Sequence, residues 1–197
     1  KKVADVDDNR FLRADASNLA AFLFLLKSSY GTEYRLLRNT MRRIAPFFED
    51  FRLEPRALDD ETIRLEWKHS ESDSYFDISS FSDGTLRFLA LATLLLQPKQ
   101  LKPSIILLDE PELGLHPAAI TVLGAMIRSA SEDAQIIIST QSPILLDLFE
   151  PEEVIIVEQR EGKSEFSRLN PERLSQWLEE YTLGELWEKN EIGGRPN

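Results

Sequence analysis

The sequence predicts an α/β protein whose core is a largely parallel sheet flanked by helices. Two short, continuous apolar runs, "SIILLD" (104–109) and "AQIIIST" (134–140), read as strands buried on both faces, as parallel strands are. A helical pattern, "PAAITVLGAMIRSAS" (117–131), lies between them. A further helix, "SPILLDLF" (142–149), leads into a third apolar run, "EEVIIVEQ" (152–159). Strand, helix, strand, helix, strand is the order of a parallel α/β unit.

The region before that unit has a different texture. "DASNLAAFLFLLKSS" (15–29) fills a helical face with apolar residues from Leu19 to Leu26, with Ser17 as its expected N-cap. "EYRLLRNTMRRIAPFF" (33–48) is a second helix, ending near Pro46. Its Arg35, Arg38, Arg42 and Arg43 read as a solvated face. "TIRLEW" (62–67) alternates as a half-buried strand, with Ile63, Leu65 and Trp67 on one side. "HSESDS" (69–74) is a polar turn and "YFDI" (75–78) its returning partner, so residues 51–79 read as a small antiparallel segment. Three domains are expected: 1–80, helical with this small sheet; 81–170, the α/β core; and 171–197, amphipathic helix and tail. In the last, Leu174, Trp177, Leu178, Tyr181, Leu186 and Trp187 form a stripe expected to dock on the protein's own sheet.

Composition excludes several classes. There is no cysteine, so disulfides and thiolate metal sites are out, and a cytoplasmic location is expected. The 34 acidic and 23 basic residues leave a net charge of −11, which does not attract nucleic acid. No apolar run is long enough to cross a membrane, and the N-terminus carries no hydrophobic signal core. The chain begins with Lys1 rather than Met and reads as a piece of something longer.

The chemistry lies in three stretches. "FSDGT" (81–85) runs into the helix of residues 83–97, whose N-terminal N–H groups and partial positive charge suit an anion. Gly84 would let a ligand approach the backbone closely. "IILLDEPELGLHP" (105–117) delivers Asp109 and Glu110 to the C-terminal edge of a strand, where open α/β sheets bind ligands. Adjacent carboxylates there suit Mg²⁺, or a base that orients a water. "STQSP" (139–143) brings Thr140, Gln141 and Ser142 to the same edge if the strands are parallel. Alone, a "DE" pair after a strand, or a Ser at a helix start, would be an ordinary cap; together and in this order they are a specific signal.

That order resembles the C-terminal half of ABC-class ATPases, closest to the soluble RecF/SMC/OLD-like branch and its bacterial members with an LSDGT-type signature. The resemblance implies the C-terminal part of a P-loop NTPase fold, with ATP and Mg²⁺ as cofactors. It implies that Phe81 to Thr85 are the signature loop, with Ser82, Asp83, Gly84 and Thr85 at the γ-phosphate of an ATP held by a second subunit. Asp109 would be the Walker B aspartate holding Mg²⁺, and Glu110 the catalytic glutamate. Leu113 to His116, including Gly114, would be the D-loop, and Gln141 stands at the place of the switch histidine.

None of the eight glycines opens a G-x-x-x-x-G-K-[ST] motif; Gly162-Lys163-Ser164 lacks the upstream glycine and reads as a hairpin turn. The Walker A half is therefore expected before Lys1, as this chain's missing partner, and the chain alone is expected to be inactive. The parent would be a homodimer when bound to ATP, acting on nucleic acid or with a separate nuclease. The competing readings are a non-catalytic interaction module that kept the fold and the nucleotide-binding subunit of a transporter.

Overall fold

The computed structural model describes residues 3–5, 9–56 and 59–194, which fall into two compact units. The first comprises residues up to 108 together with 113–137. It opens with β1 (Val3–Asp5) and two helices, α1 (Leu19–Ser29) and α2 (Gly31–Ile44). α1 is apolar almost all round, so it is a core helix: Ala21, Phe22 and Leu23 are fully buried. Its N-cap is Asn18, not Ser17. The Asn18 side chain makes no cap; it accepts from the Arg13 amide (2.9 Å) and donates to the Phe11 carbonyl (2.8 Å), holding the entering chain instead.

α2 buries Tyr34, Leu37 and Met41 and turns Arg35, Arg42 and Arg43 to solvent, as expected. Arg38 instead faces Asp50 (3.8 Å), which also meets Lys27 (3.6 Å) and accepts from the Tyr34 hydroxyl (2.6 Å). Burial and that bond push the Tyr34 phenol well above its ordinary pKa.

The antiparallel segment divides into two sheets. β2 (Phe48–Arg52), β5 (Glu66–His69) and β6 (Tyr75–Asp77) form one, in the order β2-β5-β6. β3 (Pro55–Arg56) and β4 (Asp59–Arg64) join β1 in the other, in the order β1-β4-β3; residues 57 and 58 lie outside the described residues. The expected single strand 62–67 is thus cut at Leu65, and its halves serve different sheets. The expected buried face survives the cut, since Ile63, Leu65 and Trp67 are all buried.

Trp67 is the centre of an aromatic cluster. Its ring stacks on Phe81 at 4.6 Å and on Phe76 at 5.0 Å, with Phe48 and Phe47 tilted around it. Its indole N–H donates to Ser80 Oγ at 2.9 Å. Sheet β2-β5-β6 therefore holds both Ser80 and Phe81, the two residues before Ser82.

α3 (Asp83–Leu96) and α4 (Pro117–Ser131) follow, packed on each other, with Pro117 at the first turn as expected. Between and after them run β7 (Ile105–Asp109) and β8 (Gln135–Ser139), which pair. Gln135 N–H donates to the Ser104 carbonyl at one end and Glu110 N–H to the Ser139 carbonyl at the other. Start lies beside start and end beside end, so the pair is parallel. The expectation that both faces are buried is corrected here. Ile106 is buried, but Ile105, Leu107 and Ile137 are 56%, 72% and 53% exposed, because no described element covers that face.

The second unit comprises residues 109–112 and 138 onward. It contains α5 (Pro143–Leu146), capped by Ser142 as expected, then β9 (Ile155–Arg160) and β10 (Lys163–Arg168). The expectation of a third parallel strand is corrected: β9 pairs antiparallel with β10. Glu161 and Gly162, both at positive φ, form the two-residue turn between them, so the predicted hairpin at Gly162 stands and its twist favours the antiparallel partner. α6 (Pro171–Leu178) has no buried residue and leaves Trp177 45% exposed. α7 (Leu183–Glu188) buries Leu183 and Leu186 and packs on α5, so the C-terminal stripe docks in part, on a helix rather than a sheet.

Removing the Trp67 indole takes away two stacked rings and a hydrogen bond. Trp67→Ala is expected to lower the unfolding free energy by about 3–5 kcal/mol, whereas Trp177→Ala changes it by about 0.5 kcal/mol or less. Urea denaturation followed by circular dichroism checks both; equal effects would show that the aromatic cluster is not a principal support.

Candidate functional site

The first group of candidate residues lies in the first unit, at the mouth of α3. Ser82 is the N-cap: its Oγ accepts from the Thr85 amide (3.2 Å) and lies 2.9 Å from Thr85 Oγ1. Asp83 occupies the first turn, where a negative charge complements the helix dipole, and Ser82 rather than Asp83 does the capping. Ser82 and Asp83 are exposed, so the mouth is open to a ligand.

Gly84 has a reason that the sequence reading did not supply. A Cβ there would lie 2.3 Å from the Gly114 carbonyl oxygen, so the loop before α4 presses directly on the first turn of α3. Gly114 itself sits at φ +78°, a conformation glycine adopts without strain. A second tie, from the Arg87 guanidinium to the Leu113 carbonyl (3.1 Å), fixes the same contact. His116 ends the loop as the N-cap of α4, its Nδ1 accepting from the Ala118 amide at 3.2 Å. The structure thus brings Ser82, Gly84, Thr85 and Gly114 together, with Arg87 as a supporting residue the sequence reading missed.

The second group lies in the second unit, where β7 and β8 end. Ser139 Oγ donates to Asp109 Oδ1, and the Glu110 amide donates to the Ser139 carbonyl at 3.0 Å. Glu110 stands at φ +43°, in the left-handed region that costs a side-chain-bearing residue about 1–2 kcal/mol. Such strain persists where the surroundings over-determine it, and it gathers at functional sites. Here the hydrogen bond from the Glu110 N–H to the Ser139 carbonyl on one side and the fixed φ of buried Pro111 on the other hold it.

Beyond Pro111, Glu112 Oε1 accepts from Thr140 Oγ1 at 2.5 Å. Thr140 Oγ1 in turn accepts from the Ser142 amide (3.0 Å), and Ser142 Oγ caps α5. Gln141, between these two pinned residues, is exposed. Ser139 and Glu112 were not singled out from the sequence; Glu112 was visible as a third carboxylate in "DEPE", but nothing in the string pairs it with Thr140.

Among the described residues no group of three His, Asp or Glu side chains forms a ready metal cage. Asp109 is exposed, with its carboxylate oriented by Ser139. No described helix is long and apolar enough to cross a membrane.

Gly84→Ala forces a methyl group against the Gly114 carbonyl, in a loop that the Arg87 bond to the neighbouring Leu113 carbonyl holds in place. It is expected to cost about 1–3 kcal/mol of stability, where glycine to alanine at an unstrained helical position would instead gain up to about 1 kcal/mol. Thermal unfolding measures it; a neutral or stabilising effect would mean that the loop before α4 retreats freely.

Comparison with known proteins places these features in context. No curated protein matches the chain. Among solved structures it is similar to one described as "Structural biochemistry of ATP-driven dimerization and DNA stimulated activation of SMC ATPases", with a TM-score of 0.57 and 21% identity, covering 80% of this chain and 96% of that one. It is similar to an SmcHead bound to the C-winged helix domain of ScpA, with a TM-score of 0.61 and 17% identity, covering 87% of this chain and 54% of that one. A Pyrococcus furiosus Smc head domain with an extended coiled coil, bound to the C-terminal domain of ScpA, gives 0.59 and 21%, covering 80% of this chain and 39% of that one. The chain therefore spans about half or less of the second and third of these. At such identities the likeness is one of fold: the α/β fold of SMC ATPase heads, of P-loop NTPase type. Residues 5–147, well over half of the chain, match the family described as "AAA domain, putative AbiEii toxin, Type IV TA system", and the chain belongs to that family of ATPase domains.

Proposed function

We propose that this chain supplies the signature, Walker B and switch parts of an ATP-hydrolysing site shared between two copies of an ABC/SMC-type protein. The observation that carries the reading is Glu110: a carboxylate held in a strained backbone conformation, next to Asp109, at the end of a parallel strand. A glycine would relieve that strain, and what glycine lacks is the carboxylate.

In this reading Asp109 holds Mg²⁺, which neutralises phosphate charge when bound. Glu110 would accept a hydrogen bond from the attacking water and so orient it for attack on the γ-phosphate. The exposed Gln141 amide donates to a phosphate oxygen and so senses whether the γ-phosphate is present. Ser82, Asp83, Gly84 and Thr85 line the helix mouth that receives the γ-phosphate of the ATP bound by the other copy; the donors are the neutral hydroxyl and backbone N–H groups at a positive helix end, not the Asp83 carboxylate. Gly114 and His116 belong to the loop along that interface. The 81–170 stretch is the ATPase core, 1–80 its support and 171–197 an appended helical segment.

The sequence contains no G-x-x-x-x-G-K-[ST], so the phosphate-binding loop comes from a segment outside these residues. The exposed Ile105, Leu107 and Ile137 support this, as an apolar sheet face that such a segment would cover. The described dimerisation of an SMC relative favours a homodimer, and its DNA stimulation favours a nucleic-acid partner, or a partner nuclease, for the whole protein. With a net charge of −11 this chain is not itself the nucleic-acid surface. The reading places the protein in the cytoplasm, where ATP is available.

Two outcomes test this. In the whole protein, Glu110→Gln is expected to reduce ATP turnover at least about a hundredfold while ATP binding persists and a dimer accumulates, seen by light scattering with ATP and Mg²⁺. A variant that hydrolyses like wild type strips Glu110 of its role. The chain by itself is expected to release no phosphate from Mg²⁺–ATP; turnover near ~1 s⁻¹ that vanishes with Glu110→Gln would show that no further segment is needed.

A further inference from the structure

We propose that Glu112 and Thr140 form a latch joining the loop of Glu110 to the loop of Gln141, so that sensing of the γ-phosphate and placement of the water-orienting carboxylate move together. The inference rests on the ATPase reading and adds two positioning residues to it.

The strand pairing of β7 and β8 ends at residues 110 and 139, where the Glu110 amide meets the Ser139 carbonyl. Past that point the bond from Thr140 to Glu112 joins the two loops. The direction of this bond is fixed. A threonine hydroxyl has one proton, and Thr140 Oγ1 already accepts from the Ser142 amide, so its proton goes to Glu112. Glu112 has its own reason to keep the bond: its Oε2 is buried with no hydrogen-bond partner among the described residues, so losing Thr140 would leave both oxygens of a carboxylate uncompensated.

Each end of the latch is stiffly joined to a working residue. On one side stand Pro111, whose φ is locked, and Glu110 at φ +43°, so a shift of Glu112 is passed to Glu110 rather than absorbed by a slack turn. On the other, Thr140 and Ser142 grip Gln141 from both flanks, and Ser142 is anchored as the cap of α5. A phosphate that draws Gln141 towards it therefore pulls on Thr140, and through Glu112 on Glu110.

The test uses the whole protein with Thr140→Val, Thr140→Ser, Glu112→Ala and the Thr140→Val/Glu112→Ala pair. Thr140→Val is expected to lower kcat about tenfold, the factor a bond of about 1.4 kcal/mol carries, with the Kd for ATP within about twofold. Thr140→Ser, which restores the hydroxyl, recovers the rate. The double variant is no slower than the worse single one, because the bond between the two side chains is lost only once. Amide hydrogen exchange reads the latch without activity: Thr140→Val speeds exchange at the Glu110 amide, and Glu112→Ala speeds it at the Ser142 amide, each by roughly tenfold. Should Thr140→Val fail to fold, Glu112→Ala reports the coupling from the other side. Unchanged exchange across the loops, or multiplied losses of kcat in the double variant, overturns the latch. Glu110→Gln, run in parallel, separates the two claims. If turnover survives it, the ATPase assignment fails and the exchange data alone decide the latch; if it abolishes turnover while both latch variants are silent, the latch falls and the assignment stands.

Discussion

The end-to-end pairing of β7 with β8 is the constraint on which the acidic site depends. A parallel pair needs a long crossover, here α4, and delivers both strand ends to the same edge. Asp109 and Glu110 arrive from one strand and Ser139, Thr140 and Gln141 from the next, with no further folding needed to bring them together. The last bond, from the Glu110 amide to the Ser139 carbonyl, also sets the backbone turn at Glu110. Site and scaffold are here the same hydrogen bonds.

The helix mouth is built differently. It depends on side-chain packing from an antiparallel sheet: Trp67 grips Phe81 by stacking and Ser80 by a hydrogen bond, just before the chain turns into α3. Ser82 then needs only to cap the helix to be correctly placed. The many charges on the surface contribute little to this. The pairs of Asp50 with Lys27 and Arg38, at 3.6 and 3.8 Å, stand within reach of solvent, where screening leaves at most about 1 kcal/mol.

The sequence was most readable where local chemistry decides the outcome. Pro117 and Pro143 at helix starts, Ser142 as a cap, the Gly162 turn and the extent of α3 all follow from short-range rules. It was least readable where a partner decides. "SIILLD" reads as doubly buried because a run of apolar residues records that a face is to be covered, not what covers it. "EEVIIVEQ" reads as a parallel strand until its turn supplies a closer antiparallel neighbour. Within the site, Asp109, Glu110 and Gln141 were legible as types at spacings. The Glu112–Thr140 bond was not, because it joins residues far apart in the chain.

The contact between Gly84 and the Gly114 carbonyl has a consequence for how such a protein changes over generations. Two segments separated by a whole strand share one small volume, so neither drifts alone. A side chain at position 84 becomes tolerable only after the loop at 114 has moved aside, and a shorter loop at 114 leaves a gap that only a larger residue at 84 fills. What position 84 tolerates is set by where the loop at 114 lies, and the reverse.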